Sequence, residues 1–130
     1  MTFDPLQTWY HGSPLLLTFL RQGSTITQKR DLARIFSHKP TVVQVGDGGQ
    51  VKHNGSRPGF LYIIVEDVQP DDVVPHPHTT MEPGDEWLTT RELALQLIGP
   101  TEIVANEQFT EAELAELLER AARLARKCST

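Results

Sequence analysis

The residues best equipped for chemistry lie early in the chain. Trp9-Tyr10-His11-Gly12-Ser13-Pro14 brings aromatic rings, an imidazole, a stretch of bare backbone and a hydroxyl close together. Aromatics suit a strand, and glycine lets a ligand or another backbone come close. Ser-Pro is a good helix start, with Ser as N-cap and Pro at the first helical position. The stretch therefore reads as a strand that carries His11 and the backbone of Gly12 to a corner. That arrangement either holds a small polar ligand or makes a plain strand-to-helix junction. Thr25 and Thr27 could donate hydroxyls to the same ligand, although Thr27 more simply serves as a cap or strand residue. Among the carboxylates, Glu86 stands out over Glu82 and Glu92 because it opens an extended run beside Trp87. Its plain alternative is an exposed turn.

Other constellations are weaker. Ser13 has no Gly-x-Ser-x-Gly elbow around it, so it is not read as a nucleophile. Asp47-Gly48-Gly49 is a hairpin turn rather than a phosphate loop, since no helix follows it. His53-Asn54-Gly55 offers polar groups at a strand end, with a plain turn as the simpler reading. His76-Pro77-His78 could bind metal with His38 or His53, but two histidines around a proline are a sparse signal, and no metal is expected. The one cysteine, Cys128, excludes an internal disulfide and a cysteine-rich zinc site.

The elements that must position these groups follow from patterning. A chain of 130 residues suits a single domain. Tyr10 and His11 sit in a first strand, over about 8–11. A buried leucine-rich helix is expected from Pro14 to Arg21, stopped by Gly23. Ser24-Thr25-Ile26-Thr27 is short and β-rich. A helix over about 29–37 should turn Leu32, Ala33 and Phe36 inward. Residues 41–45 and 50–53 form a hairpin around Gly46-Asp47-Gly48-Gly49. Phe60-Leu61-Tyr62-Ile63-Ile64-Val65 reads as a central strand buried on both faces. Residues 69–85 form a long polar loop. Residues 86–90 are extended, 91–98 fit either strand or helix, and 102–105 form a last strand. Thr110 and Glu113 make a capping box for a helix striped by Leu114, Leu117, Leu118, Ala121, Leu124 and Ala125, most simply a core-covering helix. Strands outnumber crossover helices, which favours an α+β domain with a mostly antiparallel, twisted sheet, two short N-terminal helices and one C-terminal helix.

The net charge of −5 argues against general attraction to nucleic acid. Lys29-Arg30, Arg34 and Lys39 read as a solvated helix face. No charged-then-apolar leader and no apolar run near 18 residues is visible. A soluble cytoplasmic protein with no membrane partner is expected.

Tyr10-His11-Gly12-Ser13, then Ser24-Thr25-Ile26-Thr27, then Leu32-Ala33-Arg34-Ile35-Phe36, then Glu86-Trp87 resembles the ADP-ribosyltransferase fold, in its diphtheria-toxin and poly(ADP-ribose) polymerase branch. The likeness runs from about residue 9 to 105 and implies a split sheet around an NAD cleft. It implies that NAD is the substrate, contacted by His11, Gly12, Ser13, Thr25 and Phe36. His11 would bind a ribose hydroxyl and the Gly12 backbone the nicotinamide amide. Glu86, with His11 the catalytic pair, would stabilise the sugar cation as nicotinamide leaves. The family's ring-stacking tyrosine falls at Thr25, which has no ring. A comparable aromatic pair contributes about 0.5–1.5 kcal/mol. Trp87, Phe36 and Tyr10 are the rings available to replace it.

Two other functions compete. One is a non-catalytic binding module on the same scaffold. The other resembles the tRNA 2′-phosphotransferases, which share the fold and lack that tyrosine; there Arg30, Arg57 and Arg91 are the available phosphate ligands. The acceptor of ADP-ribose, protein or nucleic acid, and the oligomeric state are not encoded in any motif.

Overall fold

The computed structural model describes residues 7–128 apart from Asp47, Gly49, Thr80 and Pro83. The expected lead-in therefore falls almost wholly outside the described residues. So do parts of the first hairpin turn and of the long loop.

Two sheets dominate. Strands β1 (Tyr10–Ser13), β2 (Phe19–Leu20) and β3 (Thr25–Ile26) precede helix α1 (Arg30–Phe36). A small hairpin follows, β4 (Val43–Val45) with β5 (Val51–His53). Then come β6 (Gly59–Ile64), β7 (Val73–Pro75), β8 (Trp87–Thr89), β9 (Leu93–Thr101) and helix α2 (Glu111–Cys128). One sheet runs β1-β6-β9-β2 and the other β3-β8-β7. The pairings within these sheets are antiparallel. The molecule is thus α+β with mostly antiparallel sheets, as the patterning predicts, but with two α-helices among the described residues rather than three.

Side chains from both sheets meet in one core. Leu20, Ile64 and Leu93 come from the four-stranded sheet, Ile26, Val73 and Trp87 from the three-stranded one. Trp9 meets Trp87 edge to face, with centroids 6.1 Å apart and planes at 89°, a favoured aromatic geometry. As its apolar run suggests, β6 is central, between β1 and β9, with Leu61, Tyr62 and Ile64 buried, but Phe60 and Ile63 are only half-buried and Val65 lies beyond the strand, 51% exposed. Helix α1 buries Leu32, Ala33 and Ile35. Ile35 takes the inward position expected of Phe36, which is only half-buried.

The helix expected over 14–21 does not form. Ser13 Oγ accepts from the Leu15 N–H (3.1 Å), a local turn that replaces the cap. The buried Tyr62 hydroxyl then accepts from Leu17 N–H (2.8 Å) and donates to the Leu15 carbonyl (2.7 Å). The backbone groups a helix would have used are taken, and Phe19–Leu20 pairs with Leu93–Ala94 instead. Tertiary partners override propensity here. Residues 91–98, open between helix and strand, belong to the nine-residue strand β9. It ends at Thr101, so the strand expected over 102–105 is absent, and a single 3-10 turn, Ala105–Glu107, follows. The polar 69–85 segment contains a 3-10 turn, Pro70–Asp72, and edge strand β7. Arg91 holds that turn through Asp72 (2.9 Å) and reaches Glu66 (3.0 Å).

Helix α2 corrects another expectation. Its capping box is present: Glu113 accepts from Thr110 N–H (3.0 Å) and Thr110 Oγ1 from Glu113 N–H (3.1 Å). Yet its apolar stripe does not cover the core, since Leu118 is 70% and Leu124 63% exposed. The helix is tied down at its first turn, where Lys52 reaches Glu113 (2.8 Å). Beyond that turn, Glu116–Arg120 (2.5 Å) and Glu119–Arg123 (4.0 Å) support it along its own length.

Candidate functional site

The site grows from the place where the two sheets separate. Tyr10 and Thr27 exchange two backbone hydrogen bonds, of 2.7 and 3.0 Å, and so join β1 to the end of β3. Amides alternate between the two edges of a strand. Tyr10 spends its pair on Thr27, so Gly12, two residues further on, directs its N–H and C=O to that same edge. There β3 no longer accompanies β1. The backbone of Gly12 therefore faces the gap between the sheets.

Gly12 is also fixed by packing. A Cβ there would lie 1.8 Å from the Ala33 carbonyl oxygen and 2.8 Å from the Ser37 nitrogen. Only glycine lets α1 lie this close on β1. One residue thus serves both the close approach and the open backbone.

A hollow of about 210 Å³ occupies the gap, lined by Tyr10, His11, Gly12, Thr25, Thr27, Ala33, Phe36 and Glu86. The structure brings together His11, Gly12, Thr25, Phe36 and Glu86, which lie as much as 75 positions apart (86 − 11) in the chain. Ser13 is not among them. It lines an adjoining hollow of about 480 Å³ with Arg21, Ser24 and Leu15, and His11 borders both.

His11 has a defined hydrogen-bond role. Its Nδ1 lies 2.7 Å from the Thr25 carbonyl oxygen. A carbonyl can only accept, so Nδ1 carries the proton and Nε2 keeps the lone pair. Burial pushes the imidazole below its ordinary value, outweighing the Thr25 hydrogen bond that favours the charged ring. The neutral ring therefore offers an acceptor at the hollow, suited to a ligand hydroxyl.

Glu86 stands at the entry to β8 and is half-buried. Continuing the β3–β8 register by one step sets it opposite Thr27. Its backbone is held from several sides. Its carbonyl accepts from His76 N–H (3.1 Å). Trp87 Nε1 donates to the Gly84 carbonyl (3.0 Å). Buried Asp85 pairs with Lys29 at 2.6 Å. These contacts fix the backbone that carries Glu86 at the edge of the hollow.

Thr25 adds no ring to the hollow. Trp87 is in the core and does not line it, whereas Phe36 and Tyr10 do. Thr27 is 2% exposed, and its Oγ1 accepts from Lys29 N–H (3.1 Å) in a local turn. It is not the α1 N-cap, which is Lys29. The Lys29–Asp85 pair had no local sequence signal, because its members are 56 positions apart (85 − 29).

The remaining polar residues lie elsewhere. His38 and His53 stack as parallel rings, with centroids 5.6 Å apart, planes at 9° and no exposed surface. His38 Nδ1 meets the Arg57 carbonyl (2.6 Å) and its Nε2 the Glu102 carbonyl (3.1 Å). His53 Nδ1 accepts from Gly55 N–H (3.0 Å). Burial, then the neighbouring His38 ring, hold His53 below its ordinary value. His78 N–H turns back onto His76 Nδ1 (3.1 Å). Among the described residues, no group of three His, Cys, Asp or Glu could hold a metal ion. Nor do Arg30, Arg57 or Arg91 line the hollow. No described helix is long and apolar enough to cross a membrane. No family model matches this chain, and no curated protein or solved structure matches it.

Proposed function

We propose that the gap between the sheets is an NAD site on an ADP-ribosyltransferase-like scaffold, and that the protein transfers ADP-ribose to an acceptor or to water. The observation that supports this reading is the set of residues around one hollow: His11, Gly12, Phe36 and Glu86, with Thr25 beside them. His11 Nε2 accepts from a ribose hydroxyl. The outward N–H and C=O of Gly12 clamp the nicotinamide amide, which carries one acceptor and donors in return. Phe36 and Tyr10 supply the apolar face that Thr25 does not. The adjoining hollow that shares His11 gives the remainder of a dinucleotide somewhere to lie, with Arg21 beside its phosphates.

In the reaction the bond between ribose C1′ and the nicotinamide nitrogen breaks. Its electron pair leaves with nicotinamide, and positive charge develops on the sugar. Glu86 stabilises that charge from the edge of the hollow, while the Gly12 clamp orients the leaving group. An acceptor oxygen or nitrogen, or water, adds at C1′ and gives its proton to solvent.

Thermal melting with NAD, followed by assay of released nicotinamide, tests the reading. A stabilised protein that releases nicotinamide supports it. No melting shift at millimolar NAD removes it. A second reading, binding without turnover, is favoured by the threonine at position 25 and predicts the melting shift without nicotinamide release. The phosphotransferase-like reading has less support, because Arg91 is engaged with Asp72 and Glu66, and Arg30 borders a different hollow.

A further inference from the structure

We infer that α2 is a self-association element, and that its partner is the α2 of a second copy running antiparallel to it. Among the described residues the helix leaves its stripe uncovered, with Leu118 and Leu124 mostly in water and Leu114 and Leu117 only half-buried. Leu114, Leu117, Leu118, Ala121, Leu124 and Ala125 recur at spacings of three and four, the pattern of a two-helix seam.

Charge selects the occupant and its direction. The first half of the helix carries Glu111, Glu113, Glu116 and Glu119. The second half carries Arg120, Arg123, Arg126 and Lys127. A parallel mate would set carboxylates against carboxylates and cations against cations. An antiparallel copy sets each acidic half beside a basic one and opposes the two helix dipoles. Large side chains also meet small ones. Pairing about the helix midpoint brings Leu118 towards Ala121 of the second copy, and Leu114 towards its Ala125, so the backbones can approach. No other segment needs to be invented for the face, because its own sequence is its complement.

The test begins with sedimentation of the full chain over a range of concentrations. A monomer–dimer equilibrium is expected, and a monomer up to millimolar concentration overturns the inference. The double variant L118E/L124E should lose the dimer while melting within a few degrees of the parent, since both side chains are exposed. A dimer that persists in this variant uses another face and overturns the inference. Spin labels on the lone Cys128 report direction. In an antiparallel pair they lie about 25 Å apart, the length of the helix at about 1.5 Å per residue. Labels about 10 Å apart, the spacing of two packed parallel helices, overturn the antiparallel arrangement. Binding of the full chain to vesicles of mixed phosphatidylcholine and phosphatidylserine, with no dimer in solution, overturns it too.

Discussion

His11 and the His38–His53 pair are all sheltered imidazoles, and their surroundings differ in kind. His38 has a carbonyl at each ring nitrogen and no exposed surface, and His53 is sealed beside it. His11 has one carbonyl partner and borders two hollows. Burial alone therefore does not distinguish a structural histidine from a functional one. What distinguishes them is whether a ring nitrogen is left for a visitor and whether there is room for one. The difference lies in the neighbours: His38 and His53 meet each other and groups of Gly55, Arg57, Glu102 and Gln108, whereas His11 sits where one strand leaves another.

The largest expected effect falls on chemistry at the open region. Glu86→Gln should lower nicotinamide release about 10²–10³-fold, the usual cost of removing a preorganised charge-stabilising group, with melting almost unchanged. If release persists, Glu86 is a turn residue and the open region has lost its reactive half. Next comes His38→Leu at the sealed region. A ring nitrogen bonds a carbonyl only where it carries a proton, so loss of the ring orphans at least one of the Arg57 and Glu102 carbonyls, at about 1–3 kcal/mol, and a fall in Tm of roughly 5 °C or more is expected. Gly12→Ala should cost about 1–3 kcal/mol through forced displacement of α1, and it should also abolish the NAD-induced melting shift. His11→Ala should cost only about 0.5–1.5 kcal/mol, one hydrogen bond, and yet remove that shift. Were it to lower Tm as much as His38→Leu, the contrast between the two regions would collapse.

The smallest effect is that of pH. Both His11 and His53 are held below the ordinary imidazole value, so the folded chain binds fewer protons there than the unfolded one. Their contribution to stability is complete above about 6.5. It declines as pH falls from there through the lowered values. Tm should therefore drop between pH 7 and pH 5, and less so in His11→Ala. The His11 ring stays neutral to a pH below the ordinary midpoint, so the NAD response should outlast that midpoint and fade only in more acid solution.

Much of the frame was legible because local patterns carried it. The apolar run from Phe60 to Ile64 became a central strand, and Thr110 with Glu113 became the capping box. What failed depended on distant partners. Leu15-Leu16-Leu17 reads as helix until the hydroxyl of Tyr62 takes its backbone. The α2 stripe reads as core because periodicity reveals an apolar face but not what that face meets. Around the hollow, the residue types of His11, Gly12, Thr25 and Glu86 stood out on their own, Phe36 came only from the resemblance, and Ser13, which the resemblance also implied, lines the adjoining hollow instead. Residue types could not show that Lys29 restrains Asp85, nor that Gly12 must be bare for α1 to fit.

The paired backbone bonds between Tyr10 and Thr27 give the molecule a gauge. Their amide protons are protected only while the two sheets stay zipped at that point, so their exchange with deuterated solvent times the parting of the sheets. A guest bridging the gap should slow both protons together and leave those of the outer hairpin untouched. A readout confined to two amides would then report occupancy without any turnover.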